Sequence, residues 1–197
     1  MFGKPKYIFV LLAFFFVEGA AYEFNKRLAS VASEGNAAEV ARTADHMFWF
    51  NDAIGRLFGG VLAYLLVSKI NTYFFLMIYS FISAIGHIIL FMVISLNIDG
   101  SVLVMSATFF ISLGAGAFWV LVAEIIIDDG GIRNFGLNWG CAVFFNLLGI
   151  FFFDFLAFFI SFKVAMGYAY LITGLLIPLF VILAWSFDNR DNRHGSA

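Results

Sequence analysis

Residues 74–94 run without one Asp, Glu, Lys or Arg, and a stretch of that length and character leaves a chain few ways to fold. About 20 apolar residues wound into a helix span the roughly 30 Å hydrocarbon core of a bilayer. Lipid offers no partner for backbone N–H and C=O groups, so helices are the expected form. The pattern recurs. Apolar runs and the breaks between them place six spans at about 7–24, 47–68, 72–96, 101–126, 136–160 and 164–187. These form one transmembrane domain over 1–187, followed by a polar tail, 188–197, read as the solvated end of the last helix. Composition agrees, because only 12% of the 197 residues are charged while 63% are hydrophobic and 28 are Phe. Soluble domains carry about a quarter charged residues, and this stock cannot cover a water-facing surface. The expected fold class is therefore all-α and integral to a membrane, plasma or organellar inner, with the lipid bilayer as its first partner.

A net charge of −2 supplies no basic stripe to neutralise phosphates, so nucleic acid is not an expected partner. The single cysteine, Cys141, excludes an internal disulfide and reads as a packed thiol. Lys4 and Lys6 precede the first apolar run without a small-residue cleavage site, and that run reads as a retained helix. Between the first two spans Gly35 reads as a stop and Asn36 as a cap closed by Glu39, so the second helix is expected to begin near Ala37. Lys4, Lys6, Lys69, Arg133, Arg190 and Arg193 fall on the side of the termini, against Lys26, Arg27, Arg42 and Lys163 opposite. This bias assigns the termini to the cytoplasmic or matrix-like face.

Polar residues within the spans carry the functional signal, since a charge in hydrocarbon is expensive and normally faces a cavity or a partner. The first span has Glu18, Tyr22 and Asn25 on one helical face. The second has Asn51 and the i, i+4 pair Asp52 and Arg56, which reads as a solute site or as a neutralising pair within one helix. The fourth has Trp119 and Glu124, and the fifth Asn146 and Asp154. Glu124 and Asp154 stand near span ends, where they reach the interface. The third and sixth spans have no acid or base except His87, which reads as a neutral packed histidine. Two polar spans followed by one bland span, repeated, is the pattern of a 3+3 internal repeat. Gly55, Gly59 and Ala63, with Gly60 beside them, are spaced for close helix packing, as are Gly114 and Gly116. No metal-ligand spacing, nucleophile elbow or phosphate loop occurs, so neither a metal, another cofactor nor an enzymatic activity is expected.

The segments GRLFGGVLAY (55–64), SAIGHI (83–88), GAGAFWVLVAEI (114–125) and GIRNFG (131–136) resemble, in order and spacing, the C-terminal six-helix half of major facilitator superfamily carriers, in particular the nodulin-like group. The resemblance implies half of a major facilitator type fold. It aligns Gly55, Arg56, Gly59 and Gly60 with the family's glycine-rich eighth helix, and Gly114, Gly116, Ala117 and Trp119 with its tenth. Arg133, Phe135 and Gly136 fall on the loop and helix that follow. The chain departs from the family pattern at Tyr64, where an acidic gate residue is usual, and at Ala123, where proline is frequent.

Two functions follow as expectations. In one, the chain transports a small organic solute as a half-size unit with Glu18, Tyr22, Asn25, Arg56, Trp119 and Asn146 lining the cavity. It then needs a partner half, as a homodimer or with a separate N-terminal half. In the other, it is a non-transporting structural or accessory subunit of a larger membrane complex, derived from such a carrier.

Overall fold

The computed structural model describes residues 4–31, 37–66, 70–96, 98, 100–159 and 163–194. The stop at Gly35, the cap at Asn36 and Lys69 lie outside the described residues, as do the side chains of Lys163, Arg190 and Arg193. The chain forms α1 (Pro5–Lys26), the single turn α2 (Leu28–Val31), α3 (Ala37–Leu66), α4 (Thr72–Ser95), α5 (Ser101–Gly130), a 3-10 turn (Ile132–Asn134), α6 (Phe135–Phe159) and α7 (Lys163–His194). No strand occurs among the described residues. Five helices, α1, α4, α5, α6 and α7, are long and apolar enough to cross a membrane, which is compatible with a multi-pass integral membrane protein. The remaining expected span, 47–68, falls on α3, 30 residues long, whose apolar character is diluted by Asn51, Asp52 and Arg56.

Local chemistry places several of the helix ends. Pro5 occupies the first turn of α1, where its missing N–H is not needed. The Asn71 side chain accepts from the Tyr73 N–H at 2.8 Å and caps α4. Gly131, at φ +71°, ends α5 in a conformation that a side chain at Cβ disfavours, and the 3-10 turn then hands the chain to α6.

α5 lies at the centre, packed along α3 on one side and α4 on the other; α4 leans on α7, α7 on α1, and α1 on α6. α1 and α5 also meet, and α5 touches α6 lightly. As a result α3 and α6 each rest mainly on one neighbour and present long apolar edges outward: Trp49, Phe50, Leu57, Phe58 and Tyr64 on α3, and Phe144, Phe151, Phe155 and Phe158 on α6. The buried aromatics Phe14, Phe24, Phe118 and Phe153 fill the spaces between.

Helix separation is set by backbone touching backbone. Gly116 of α5 lies against the Asp52 backbone of α3, and Gly149 of α6 against the Phe15 backbone of α1. Gly19 faces the Gly149 carbonyl from the other side of that seam. Hydroxyls buried in the bundle bond to their own helices: Ser112 Oγ donates to the Thr108 carbonyl at 2.6 Å and Thr108 Oγ1 to the Val104 carbonyl at 2.8 Å. Both hydroxyls thereby enter the apolar interior with their donors satisfied.

α7 continues past the expected start of a solvated tail and carries Asp188 into the protein, where it is 5% exposed. The reason is Lys6. This lysine stands as a flanking charge in the sequence but is buried, and it draws two carboxylates to itself.

Candidate functional site

Four of the polar residues singled out in the sequence converge where α1, α3 and α5 meet. Because Gly116 sits against Asp52, and Gly55 and Gly59 against Leu113 and Ala117, the Asp52–Arg56 turn is held level with the middle of α5. Arg56 Nε donates to Asp52 Oδ2 at 2.8 Å. Asp52 is nearly buried, at 11%, whereas the Arg56 side chain is 45% exposed. The guanidinium carbon lies 5.1 Å from the centre of the Trp119 ring, a cation–π contact from α5. On α1, whose Phe14 packs on the same Trp119 ring, Glu18 Oε1 is buried with no partner.

An aromatic cluster holds this row in place. Trp119 meets Phe14 edge-on at 5.2 Å and Trp139 at 5.6 Å, and Trp139 stacks on Phe135 at 5.9 Å. Phe14 is fully buried and backs one side of the Trp119 ring. Asn51 and Asn146 are buried on α3 and α6, and the Asn51 Nδ2 has no partner. Asn51 Nδ2 and Glu18 Oε1 are groups that water or a polar solute would satisfy.

The other expected cavity residues spread along α1. Tyr22 is 44% exposed, and Asn25 donates to Asp45 of α3 at 3.2 Å. The glycines Gly55, Gly59, Gly114 and Gly116 lie in helix seams, with Gly114 against Ser83 of α4. Gly60 faces the Val120 side chain, and Gly136 has open space around it. Arg133 is exposed in the 3-10 turn. His87 is fully buried, with Nδ1 at 2.8 Å from the Ser83 carbonyl. Glu124 and Cys141 are half-buried.

Two ionic ties close the ends of the bundle, and the sequence reading did not assemble either. At the end that carries Lys6, its ammonium bonds Asp188 of α7 at 2.7 Å and Asp129 of α5 at 2.9 Å, and Asn71 donates to Asp188 at 2.9 Å. A cleft of about 220 Å³ beside this tie is lined by Asn71, Thr72, Tyr73, Asp128, Asp129 and Asp188. At the other end Lys26 of α1 bonds Asp154 of α6 at 2.6 Å, and Arg27 pairs with Glu23. The Glu23–Arg27 spacing of four residues was the one available signal; Lys6–Asp188 joins residues 182 apart, which no local pattern reveals. Among the described residues no group of three or more His, Cys, Asp or Glu gathers to hold a metal ion.

No protein-family model, curated protein or solved structure matches this chain.

Proposed function

We propose that this chain is one body of a two-body carrier of major facilitator type, related to the nodulin-like group, and that it moves a small organic solute by alternating access against a second helical body. The observation that carries this reading is Arg56: half-exposed, over the Trp119 ring and level with the middle of α5. A charged side chain at the centre of a bilayer costs about 2.5–3.5 kcal/mol on insertion scales, and such residues face the interior or a water-filled cavity. Asp52 offsets part of that cost from within α3. The remainder is relieved when the exposed side of Arg56 faces an aqueous path enclosed by a second body.

The helix pairing supports a 3+3 arrangement. Exchanging α1 with α5, α3 with α6 and α4 with α7 turns the α3–α5 contact into α6–α1 and the α4–α5 contact into α7–α1. The α4–α7 and α1–α5 contacts map onto themselves. Inverted repeats with a binding site at their midplane are a recurrent design of carriers. In this reading α1 and α5 form the floor of the path, α3 and α6 its flanks, and α4 and α7 its support. Arg56 supplies positive charge to the solute and Trp119 a flat apolar face.

The test is uptake of a panel of labelled small organic acids, amines and sugars into liposomes containing the purified protein, with oligomeric mass read in parallel. Arg56→Ala and Glu18→Gln are expected to abolish uptake without changing that mass. Uptake that survives both substitutions removes these residues from the path. A protein that is recovered only within a many-subunit assembly and takes up nothing is a structural subunit instead.

A further inference from the structure

At the end of the bundle that carries Lys6, carboxylates crowd around a single buried ammonium. Asp128 and Asp129 stand in the last turn of α5, at the negative end of its helix dipole, where acids are disfavoured. Lys6 is shared between Asp129, at 2.9 Å, and Asp188 of α7, at 2.7 Å. Asp128 makes no hydrogen bond or ion pair among the described residues. It is exposed, on the wall of the cleft of about 220 Å³ that opens beside this tie.

An independent observation comes from α4. Tyr73, in its first turn, lines the same cleft and is 3% exposed, and its hydroxyl is buried with no hydrogen-bond partner. Buried phenols are normally bonded, so an orphaned one on the wall of a cavity marks where the polar group of a ligand can sit. The Tyr73 ring also lies 5.9 Å from the Lys6 ammonium, so phenol, lysine and carboxylates form one cluster across α1, α4, α5 and α7.

The charge of the cleft selects a cation, and the spacing of its donors selects the kind. A bare metal ion draws its oxygens to within about 2.0–2.6 Å of one point. Among the described residues no group of three or more His, Cys, Asp or Glu gathers to hold one. An ammonium instead carries three N–H donors that reach acceptors at about 2.7–3.2 Å in separate directions, which suits groups spread around a cleft. A trimethylated ammonium has no N–H and leaves the phenol unbonded. Ile125 supplies an apolar side for the carbon that bears the nitrogen.

We propose that this cleft binds a primary ammonium group, carried by a small free amine or by a lipid headgroup, with Asp128 as its counter-charge and Tyr73 as the group that distinguishes it from a methylated one. The assignment does not rest on the carrier reading, because the cleft lies at the end of α5, further along that helix than Trp119 and the Arg56 row.

Two pairs of probes test it on the purified protein in detergent. Ethanolamine and choline are titrated in and followed by saturation-transfer NMR; short-chain phosphatidylethanolamine and phosphatidylcholine are scored as bound adducts by native mass spectrometry. The primary amine of at least one pair is expected to bind about tenfold more tightly than its trimethylated counterpart. Asp128→Asn is expected to weaken that binding about tenfold and Tyr73→Phe about fivefold. Asp154→Asn, which removes the same charge at the opposite end of the bundle, is expected to leave it unchanged. Tyr73→Phe deletes a hydroxyl that has no partner, so its unfolding midpoint is expected to match wild type and separates loss of ligand from loss of fold. Free ethanolamine bound as tightly as the lipid supports the site with a free amine sufficient to fill it, and binding of the lipid alone supports it with the headgroup as occupant. Equal binding of primary and trimethylated probes, binding untouched by Asp128→Asn or by Tyr73→Phe, an equal loss in Asp154→Asn, or no binding of any of the four probes overturns the assignment.

Discussion

Gly116→Ala tests the contact that places Asp52 and Arg56 level with Trp119. A Cβ at position 116 meets the Asp52 carbonyl oxygen, and lies 2.7 Å from its carbonyl carbon and 2.9 Å from its Cα. Ordinary contact begins at 3.4 Å, and these are backbone atoms that cannot rotate aside as the tip of a side chain can. α3 must therefore retreat from α5 by about 0.7 Å to relieve the carbonyl carbon alone. That retreat opens the contacts of Gly55 and Gly59 on the same seam. Overpacking of this kind costs about 1–3 kcal/mol. Gly140→Ala is the matched control: it lies in α6 with nothing within 4 Å of an added Cβ, and there alanine is expected to stabilise by about 0.5–1 kcal/mol through the backbone. Both variants gain the same helix propensity, so their difference isolates the clash. Reversible unfolding in mixed micelles of increasing sodium dodecyl sulfate, followed by tryptophan fluorescence, is expected to place Gly116→Ala about 1–3 kcal/mol below Gly140→Ala. Equal stabilities for the two would refute the reasoning that backbone contact sets the α3–α5 distance.

Gly149→Ala, which drives a Cβ into the Phe15 backbone, is expected to match Gly116→Ala in the same assay, because the α1–α6 seam is built alike. Lys6→Met removes one partner of a buried ionic cluster and leaves the buried Asp188 side chain facing Asp129; a loss of about 3 kcal/mol is expected. Adding Asp188→Asn to that variant should recover part of the loss, measured as a non-additive double-mutant cycle. Lys26→Ala breaks a pair in which the lysine is 55% exposed, and the unfolding midpoint is expected to stay within error of wild type at physiological salt. Asn71→Ala deletes the cap of α4 together with a bond to Asp188, and should destabilise by about 1 kcal/mol.

Much of this architecture is legible in the linear sequence, for physical reasons. Hydrocarbon thickness and helical rise fix how long an apolar run must be, so the helices α1, α4, α5, α6 and α7 stand where long apolar runs stand. The i, i+4 rule brings Asp52 to Arg56 from spacing alone. Small residues at four-residue intervals mark seams, and Gly55, Gly59, Gly114 and Gly116 lie in them. Polar residues inside apolar runs are few enough that each one is conspicuous, and Glu18, Arg56 and Trp119 stand out for that reason.

What spacing cannot convey is which seams face which. Only the tertiary structure puts the middle of α3 against the middle of α5, and so sets Arg56 over Trp119 and Trp119 against Phe14, residues drawn from three helices. It also turns Lys6 from a flanking charge into a buried link between α1, α5 and α7, and Asp188 from the start of a tail into the counter-charge of that lysine. Helices are local objects, determined by hydrogen bonds within a few residues and by the solvent they lie in. The site is a product of packing, in which an ångström at one glycine decides whether a charge meets its partner.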